Sequence, residues 1–274
     1  MRFLRDRMVR KDVIAPPTVD TIFRASSIPY LCPREEVICG LEGTERLREV
    51  EEDLGLTFGV GKAVHWWLQN EVFAPMLCGR WKCLDCAAVH ENAEGYGSGS
   101  WVPRPAVCGL PRAFVELDGT ARISVCQGQE FLFLETQIVD RDLGISGHPD
   151  GELVYQENGA RVVLEVKTMN VFKFEKARGP EPEHREQATI YGKLTSRPWI
   201  LVLVMVKHLE KVTTTFRPWL FRYDERLMGE IRRRVESIRE GLATATLPRR
   251  ICYTSTCERA RKCPVAKTCF ERAA

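Results

Sequence analysis

The chain contains no uninterrupted apolar run long enough for a membrane-spanning helix, so no helical span is expected within it. Its first residues are charged but carry neither an apolar segment nor a small-residue cleavage site. That excludes a recognisable secretory signal and sets a cytoplasmic location as the expectation. A strong net charge is also missing. The balance is +3 over 274 residues, which rules out a global basic field. There is no internal repeat and no extended low-complexity linker, and this length accommodates one large domain or one domain with insertions. The charge is nonetheless uneven. Met1 to Lys11 and Arg249 to Arg272 are both basic, a pattern that suits either a polyanionic partner or solubilising tails.

Cysteine, by contrast, is abundant. Eleven is an odd number and a high one, and without an export signal a disulfide framework is not expected. Metal or cluster ligation is the better explanation.

The residue pattern predicts an α/β chain with a central mixed β-sheet flanked by helices, a small cysteine-rich insert and a C-terminal cysteine cluster. Ser26 or Ser27 is placed to cap a short helix. Residues 59–73 have helical apolar spacing at Val64, Trp67, Leu68 and Val72, with His65 beside the stripe. Strands are expected at 112–117, 121–126, 130–139 and within 145–168. A helix is expected at 183–195, a buried strand at Trp199–Val206 and a paired strand at 212–222. An Arg-rich amphipathic helix closes the series at 224–243, with Leu227, Ile231, Val235, Ile238 and Leu242 on one face. The expected organisation is 1–77 as N-terminal segment and His-bearing helix, 78–110 as insert, 111–248 as core, and 249–274 as cysteine-bearing end.

The most informative stretch is Gly147-His148-Pro149-Asp150, followed by Glu165-Val166-Lys167. The residues between read as strand, Asn158-Gly159 turn and strand, a hairpin that brings Asp150 and Glu165 together. Alternating acids and lysines also suit a solvated face. However, Leu153, Val154, Val162, Val163, Leu164 and Val166 mark a strand buried on both sides, where an ionised acid needs a partner or a metal. Two carboxylates beside a lysine suit a divalent cation next to a phosphate.

Taken with His65 in Gly61-Lys-Ala-Val-His65 and with Gln187-Ala-Thr-Ile-Tyr191, these motifs resemble the PD-(D/E)XK nuclease superfamily. They are most similar to its RecB-like branch, which includes CRISPR-associated and AddB-type iron–sulfur exonucleases. The resemblance runs from about Arg24 to Cys269 and is interrupted by the insert. It implies a restriction-endonuclease-like core. It also implies Mg²⁺ or Mn²⁺ held by Asp150, Glu165, the Val166 carbonyl and His65. Lys167 would stabilise charge on the phosphate, and Gln187 and Tyr191 would line the site and touch nucleic acid. A helix face packed on the sheet accounts equally for that last pair. Glu135 is a further acid, either a ligand or a solvated strand residue.

The same resemblance implies a [4Fe–4S] cluster on Cys32, Cys257, Cys263 and Cys269, with Cys252 as the substitute for Cys257. The spacing departs from the family, because Cys257 is separated from Cys263 by five residues. In the insert, Cys83-Leu-Asp-Cys86 with Cys78 and Cys108 looks like a zinc ribbon lacking one cysteine. His90 is the substitute for Cys78, and structural Zn²⁺ is the expectation. Cys39 and Cys126 are expected to be ordinary core cysteines.

The expected function is a metal-dependent deoxyribonuclease, an exonuclease on single strands or DNA ends, in recombination, repair, phage replication or CRISPR-type processing. Its partners would be DNA and proteins of such a pathway, not a membrane. A nucleic-acid-binding protein with a nuclease-like fold and no activity is the alternative, and a zinc-dependent adaptor a third.

Overall fold

The structure is a computed structural model, and it describes residues 10–50, 52–91, 101–115, 121–155, 157–206 and 215–272. The basic run at residues 1–9 and the Gly/Ser-rich stretch at 94–100 lie outside the described residues. The chain is mixed α/β, with a central mixed sheet and flanking helices. No helix among the described residues is long and apolar enough to cross a membrane. By contacts the chain divides into two compact units, each discontinuous in sequence: residues 1–60, 139–146 and 224–274 in one, and 61–138 and 147–223 in the other.

The second unit holds the central sheet. Its spine follows the order Phe216–Arg222, Trp199–Val206, Arg161–Met169, Gly151–Val154, Leu77–Cys83 and Val89–His90. Val102–Pro103 and Phe131–Leu134 pair with Leu77–Cys83 as well. The predicted hairpin is present, with Gly151 opposite Leu164 and Val154 opposite Arg161. Its turn works as the Asn-Gly pair demands: Gly159 has φ 69°, and Asn158 Oδ1 accepts from the Ala160 amide at 2.9 Å. Arg161–Met169 and Trp199–Val206 run parallel, so a crossover must join them. The helix Pro182–Thr195 supplies it. Gly192 lets this helix lie close to the sheet, since a side chain there would meet Ile200.

The apolar face of the central strand is the core. Leu164 and Val166 are fully buried with Leu68, Leu77, Trp81, Phe131 and Phe133. Trp81 and Phe133 meet edge to face at 5.3 Å between ring centres. The strand Leu77–Cys83 belongs to this core and pairs with Gly151–Val154, so the cysteine-bearing segment starts on the sheet itself.

In the first unit the helix Pro33–Glu42 packs on the long helix Glu225–Thr244. Gly40 faces Leu242 and the Pro17 carbonyl too closely for any side chain. Asp224 caps the long helix by accepting from the Leu227 amide at 3.0 Å. The buried stripe is Met228, Ile231, Val235, Ile238 and Gly241. Leu227 and Leu242, expected on the same face, are half-buried. Buried Arg34 ties the C-terminal segment down by donating to the carbonyls of Pro248 (3.0 Å), Arg272 (2.7 Å) and Cys269 (3.4 Å). At the other end of the stretch the Ser27 position caps a short 3₁₀ turn at Ile28–Tyr30 without a side-chain hydrogen bond.

Candidate active site

Asp150 sits one residue ahead of the point where the ladder to the central strand begins. Its side chain replaces the missing ladder bond, as Oδ2 accepts from the Val166 amide at 2.7 Å. In an extended strand a residue's N–H and C=O leave by the same edge, so the Val166 carbonyl faces this edge too. The other carboxylate oxygen of Asp150 lies 2.8 Å from His65 Nδ1, in a hydrogen bond whose direction follows the imidazole tautomer. His65 lies near the C-terminal end of the helix Glu52–Trp67.

Glu165 and Lys167 are two apart on one strand and therefore share a face. Their charged atoms are 2.6 Å apart. Lys167 Nζ also donates to Gln187 Oε1 at 2.7 Å, and Gln187 Nε2 donates to the Tyr191 hydroxyl at 2.9 Å. Gln187 and Tyr191, four apart on the crossover helix, are both buried. The hairpin, the His-bearing helix and the crossover helix thus bring together all the residues expected to form the site.

Two features differ from expectation. First, among the described residues of the site, the ligand-type atoms gathered within 4.8 Å of one another are those of His65, Glu135 and Asp150. Glu165 stands outside that triplet, with its carboxylate 2.6 Å from Lys167 Nζ. Glu135 follows directly on the strand Phe131–Leu134, which carries it to the site. Second, the His-bearing helix ends in a π-helical turn, Leu68–Val72, that buries Gln69 and Asn70. Gln69 Nε2 donates to the Asp150 carbonyl at 3.1 Å and reaches Glu135 at 3.5 Å. Asn70 Oδ1 accepts from the Phe133 amide at 2.8 Å. Sequence reasoning missed both residues, although a buried polar pair directly after an apolar helical stripe was the available signal. π-turns of this kind concentrate at functional sites.

The electrostatics follow from crowding. Burial pushes the Glu165 carboxyl up to about 7, against the opposing pull of Lys167 and with help from the Asp150 charge. Glu135 is raised by desolvation of its carboxyl and then by Asp150, although the residue as a whole stays exposed. His65 is also raised. Burial acts to lower it, and the Asp150 charge and hydrogen bond together outweigh that effect. The Tyr191 phenol is held well above its ordinary value by burial first and then by the Glu165 charge, so it stays neutral. Three acids and an imidazole therefore share a space in which their negative charges oppose one another. Carboxylate oxygens with one imidazole could hold a divalent metal ion, and a cation there would relieve the crowding.

The cysteines fall into two sets. Cys32, Cys252, Cys263 and Cys269 line one cavity together with Glu35, Arg250 and Arg259. Cys257 does not line it, although its thiol lies beside that of Cys252. Its sulfur caps the short helix Glu258–Lys262 by accepting from the Ala260 amide at 3.4 Å. Burial pushes the Cys252 thiol up to about 11 and the Cys263 thiol up to about 12. Among the described residues these four do not converge to single-ion distance, unlike the second set. Cys39 is buried beside Ile38, Val265 and Cys269, as expected of a core cysteine.

The second set is Cys83, Cys86, Cys108 and Cys126, which corrects the expected one. Cys78 is five residues from Cys83 along one strand, which separates them by roughly 16 Å and turns them to opposite faces. Cys78 is instead buried with Trp101 and Ile138. Cys126 is therefore not an ordinary core cysteine. It pairs across a hairpin with the Cys108 segment, where the Cys126 amide donates to the Leu110 carbonyl at 3.0 Å and the Gly109 amide donates to the Cys126 carbonyl at 2.9 Å. His90 stands beside the set, with Nε2 3.2 Å from Cys108 Sγ.

No protein-family profile matches the sequence, and no curated protein matches it. Among solved structures, the chain is similar to an alkaline exonuclease, LHK-Exo, from Laribacter hongkongensis. That match has 19% identity and a TM-score of 0.33 over 40% of this chain, and it spans only 56% of the exonuclease. The same exonuclease in complex with dAMP aligns at 12% identity and a TM-score of 0.41, over 83% of this chain and 91% of that one. SSO0001 aligns at 12% identity and a TM-score of 0.41, over 93% and 88%. Likenesses this remote assign no activity.

Proposed function

We propose that the chain is a divalent-metal-dependent nuclease that hydrolyses DNA phosphodiesters, acting as an exonuclease on single strands or duplex ends. The observation that carries this is the convergence of Asp150, Glu165, Lys167 and His65 with the Gln187–Tyr191 pair, from three separate elements, at hydrogen-bonding distances. The donor chemistry fits Mg²⁺ or Mn²⁺ held by Asp150, Glu165, His65 and the Val166 carbonyl, with Glu135 as an added acid. When bound, such a cation polarises the scissile phosphate and acidifies the attacking water.

The remaining tasks fall to side chains. Lys167 is held from two sides, by Glu165 and by Gln187. Its ammonium is therefore aimed before substrate arrives, and charge developing on the phosphate meets a group that need not reorganise. Gln187 fixes that lysine while accepting orientation from Tyr191, whose phenol stays protonated. Gln69 holds the Asp150 backbone in place. Exposed Arg226, Arg232 and Arg233 on the long helix supply positive charge for backbone phosphates without reading sequence.

We further assign a [4Fe–4S] cluster to the cavity lined by Cys32, Cys252, Cys263 and Cys269. A cuboidal cluster spreads its four thiolates more widely than one zinc ion does, and these cysteines are not gathered to single-ion distance among the described residues. Its role is to fasten the segment at Cys32 to the C-terminal cysteines. Recombination, repair, phage replication or CRISPR-type processing are the settings such an activity serves, with proteins of those pathways as partners.

The test is cleavage of end-labelled single- and double-stranded DNA with Mg²⁺ or Mn²⁺ by the wild type, Asp150→Ala and Lys167→Ala. Loss of at least a hundredfold in rate is expected for each variant, on the scale of removing one preorganised electrostatic group. Equal rates for wild type and both variants would refute the assignment.

A further inference from the structure

The cysteines at Cys83, Cys86, Cys108 and Cys126 form a site that the nuclease chemistry does not use. All four sulfurs lie within 4.8 Å of one another, with Cys83 to Cys126 at 3.9 Å and Cys86 to Cys108 at 3.6 Å. Four thiolates around a tetrahedral zinc at about 2.3 Å stand about 3.8 Å apart. A disulfide would bring two sulfurs to about 2 Å, and all four are free thiols. The spacing is that of a single tetrahedral ion.

Backbone amides approach three of the four sulfurs. The Gly128 amide points at Cys126 Sγ at 3.4 Å, and the amides at Ala88 and Leu110 bond the sulfurs of Cys86 and Cys108. Cys83-Leu-Asp-Cys86 closes in a tight turn, with Ala87 at φ 60° in the left-handed region. Gly109, directly after Cys108, has φ 66°. At Gly128 the chain passes so near Cys83 Sγ that any side chain would clash, at 2.7 Å. A non-glycine residue held at positive φ persists where its surroundings over-determine it, and here they converge on the sulfurs.

We propose that this chain binds one structural Zn²⁺ through Cys83, Cys86, Cys108 and Cys126. His90 stands outside the coordination sphere and contacts Cys108, while its ring lies edge-on to Phe131 at 5.4 Å. Four thiolates fill the tetrahedron, so the ion has no open position and serves no hydrolysis. It fastens together three segments far apart in sequence: the turn at 83–86, the entry to the hairpin strand Pro111–Val115 and the exit from its partner Ala121–Val125. The exit leads directly into the strand Phe131–Leu134, whose Phe131 lies opposite Cys83. The proposal is independent of whether the chain cleaves DNA.

The experiment is an elemental inventory of the purified full-length protein and its variants. About one zinc per chain is expected in the wild type, in Cys78→Ser, in His90→Ala and in Cys32→Ser, and a loss of more than ninety per cent, a roughly tenfold fall, in Cys86→Ser and Cys126→Ser. Should the last two fail to fold, Co²⁺ exchanged into the wild type gives the same answer through the intense visible bands of a tetrahedral thiolate site. Zinc absent from the wild type, retained in Cys126→Ser or lost in Cys78→Ser overturns the proposal. So does a Co²⁺ spectrum of octahedral type.

Discussion

At the residue scale the decisive feature is a carboxylate in the wrong place for comfort. Glu165 is 3% exposed, on a strand whose other face is the hydrophobic core, with Lys167 and Asp150 as its charged neighbours. Folding raises its carboxyl from an ordinary 4.5 to about 7. The sign follows from proton binding. Between those values the folded chain keeps a proton that the unfolded chain releases, so raising the pH through that window lowers stability. Melts in chelator are therefore expected to show the wild type losing stability from pH 4.5 to 7, and Glu165→Gln losing less over the same range. Added Mn²⁺ is expected to stabilise the wild type above pH 7 more than the variant. Parallel pH profiles for the two proteins would show that Glu165 is not the strained group.

At the scale of elements, the hairpin and crossover helix were legible because their signals are local. An Asn-Gly turn fixes register over a few residues, and a four-residue spacing puts Gln187 and Tyr191 on one helical face. The Cys108–Cys126 partnership was not legible, because it is made by a hairpin that joins positions eighteen apart in the sequence, and no local period announces that pairing. The exclusion of Cys78 was available in principle, since five residues along a strand reverse the face. Glu135 gained its place from the strand Phe131–Leu134, whose pairing with Leu77–Cys83 is likewise non-local.

One glycine joins the elements at the site. Gly151 has φ 135°, and a side chain there would lie 2.6 Å from Leu77. Gly151→Ala is expected to cost on the order of 1–3 kcal/mol from the backbone conformation alone. It should also shift Asp150, the preceding residue, away from the Val166 amide. Urea melts and a loss of divalent-ion affinity in the folded fraction check this, and a variant with wild-type stability and affinity would contradict it.

At the scale of the whole molecule, each compact unit is assembled from separated stretches, and each contains its own convergence of cysteines. The C-terminal segment is integral to the first unit. Buried Arg34 binds its carbonyls, and Arg259 donates to the Tyr30 carbonyl at 2.7 Å. Cluster binding by Cys32 with cysteines more than 200 positions away fits that arrangement. Anaerobically purified protein is expected to contain iron and absorb broadly in the visible. Cys32→Ser and Cys252→Ser are expected to lose both, while Cys257→Ser keeps them, because Cys252 and not Cys257 lines the cavity. Iron loss in Cys257→Ser with retention in Cys252→Ser would reverse that choice.

The Asp150 cluster is, as proposed, a metal-dependent hydrolytic site. Its most direct measurement is single-turnover cleavage of end-labelled DNA by chelator-treated protein, before and after Mg²⁺ or Mn²⁺ is returned, beside the near-isosteric Asp150→Asn. The expected result is no cleavage in chelator, cleavage restored by either ion in the wild type, and none by Asp150→Asn at any ion concentration. Cleavage that persists in chelator, or that Asp150→Asn performs at the wild-type rate, would contradict it.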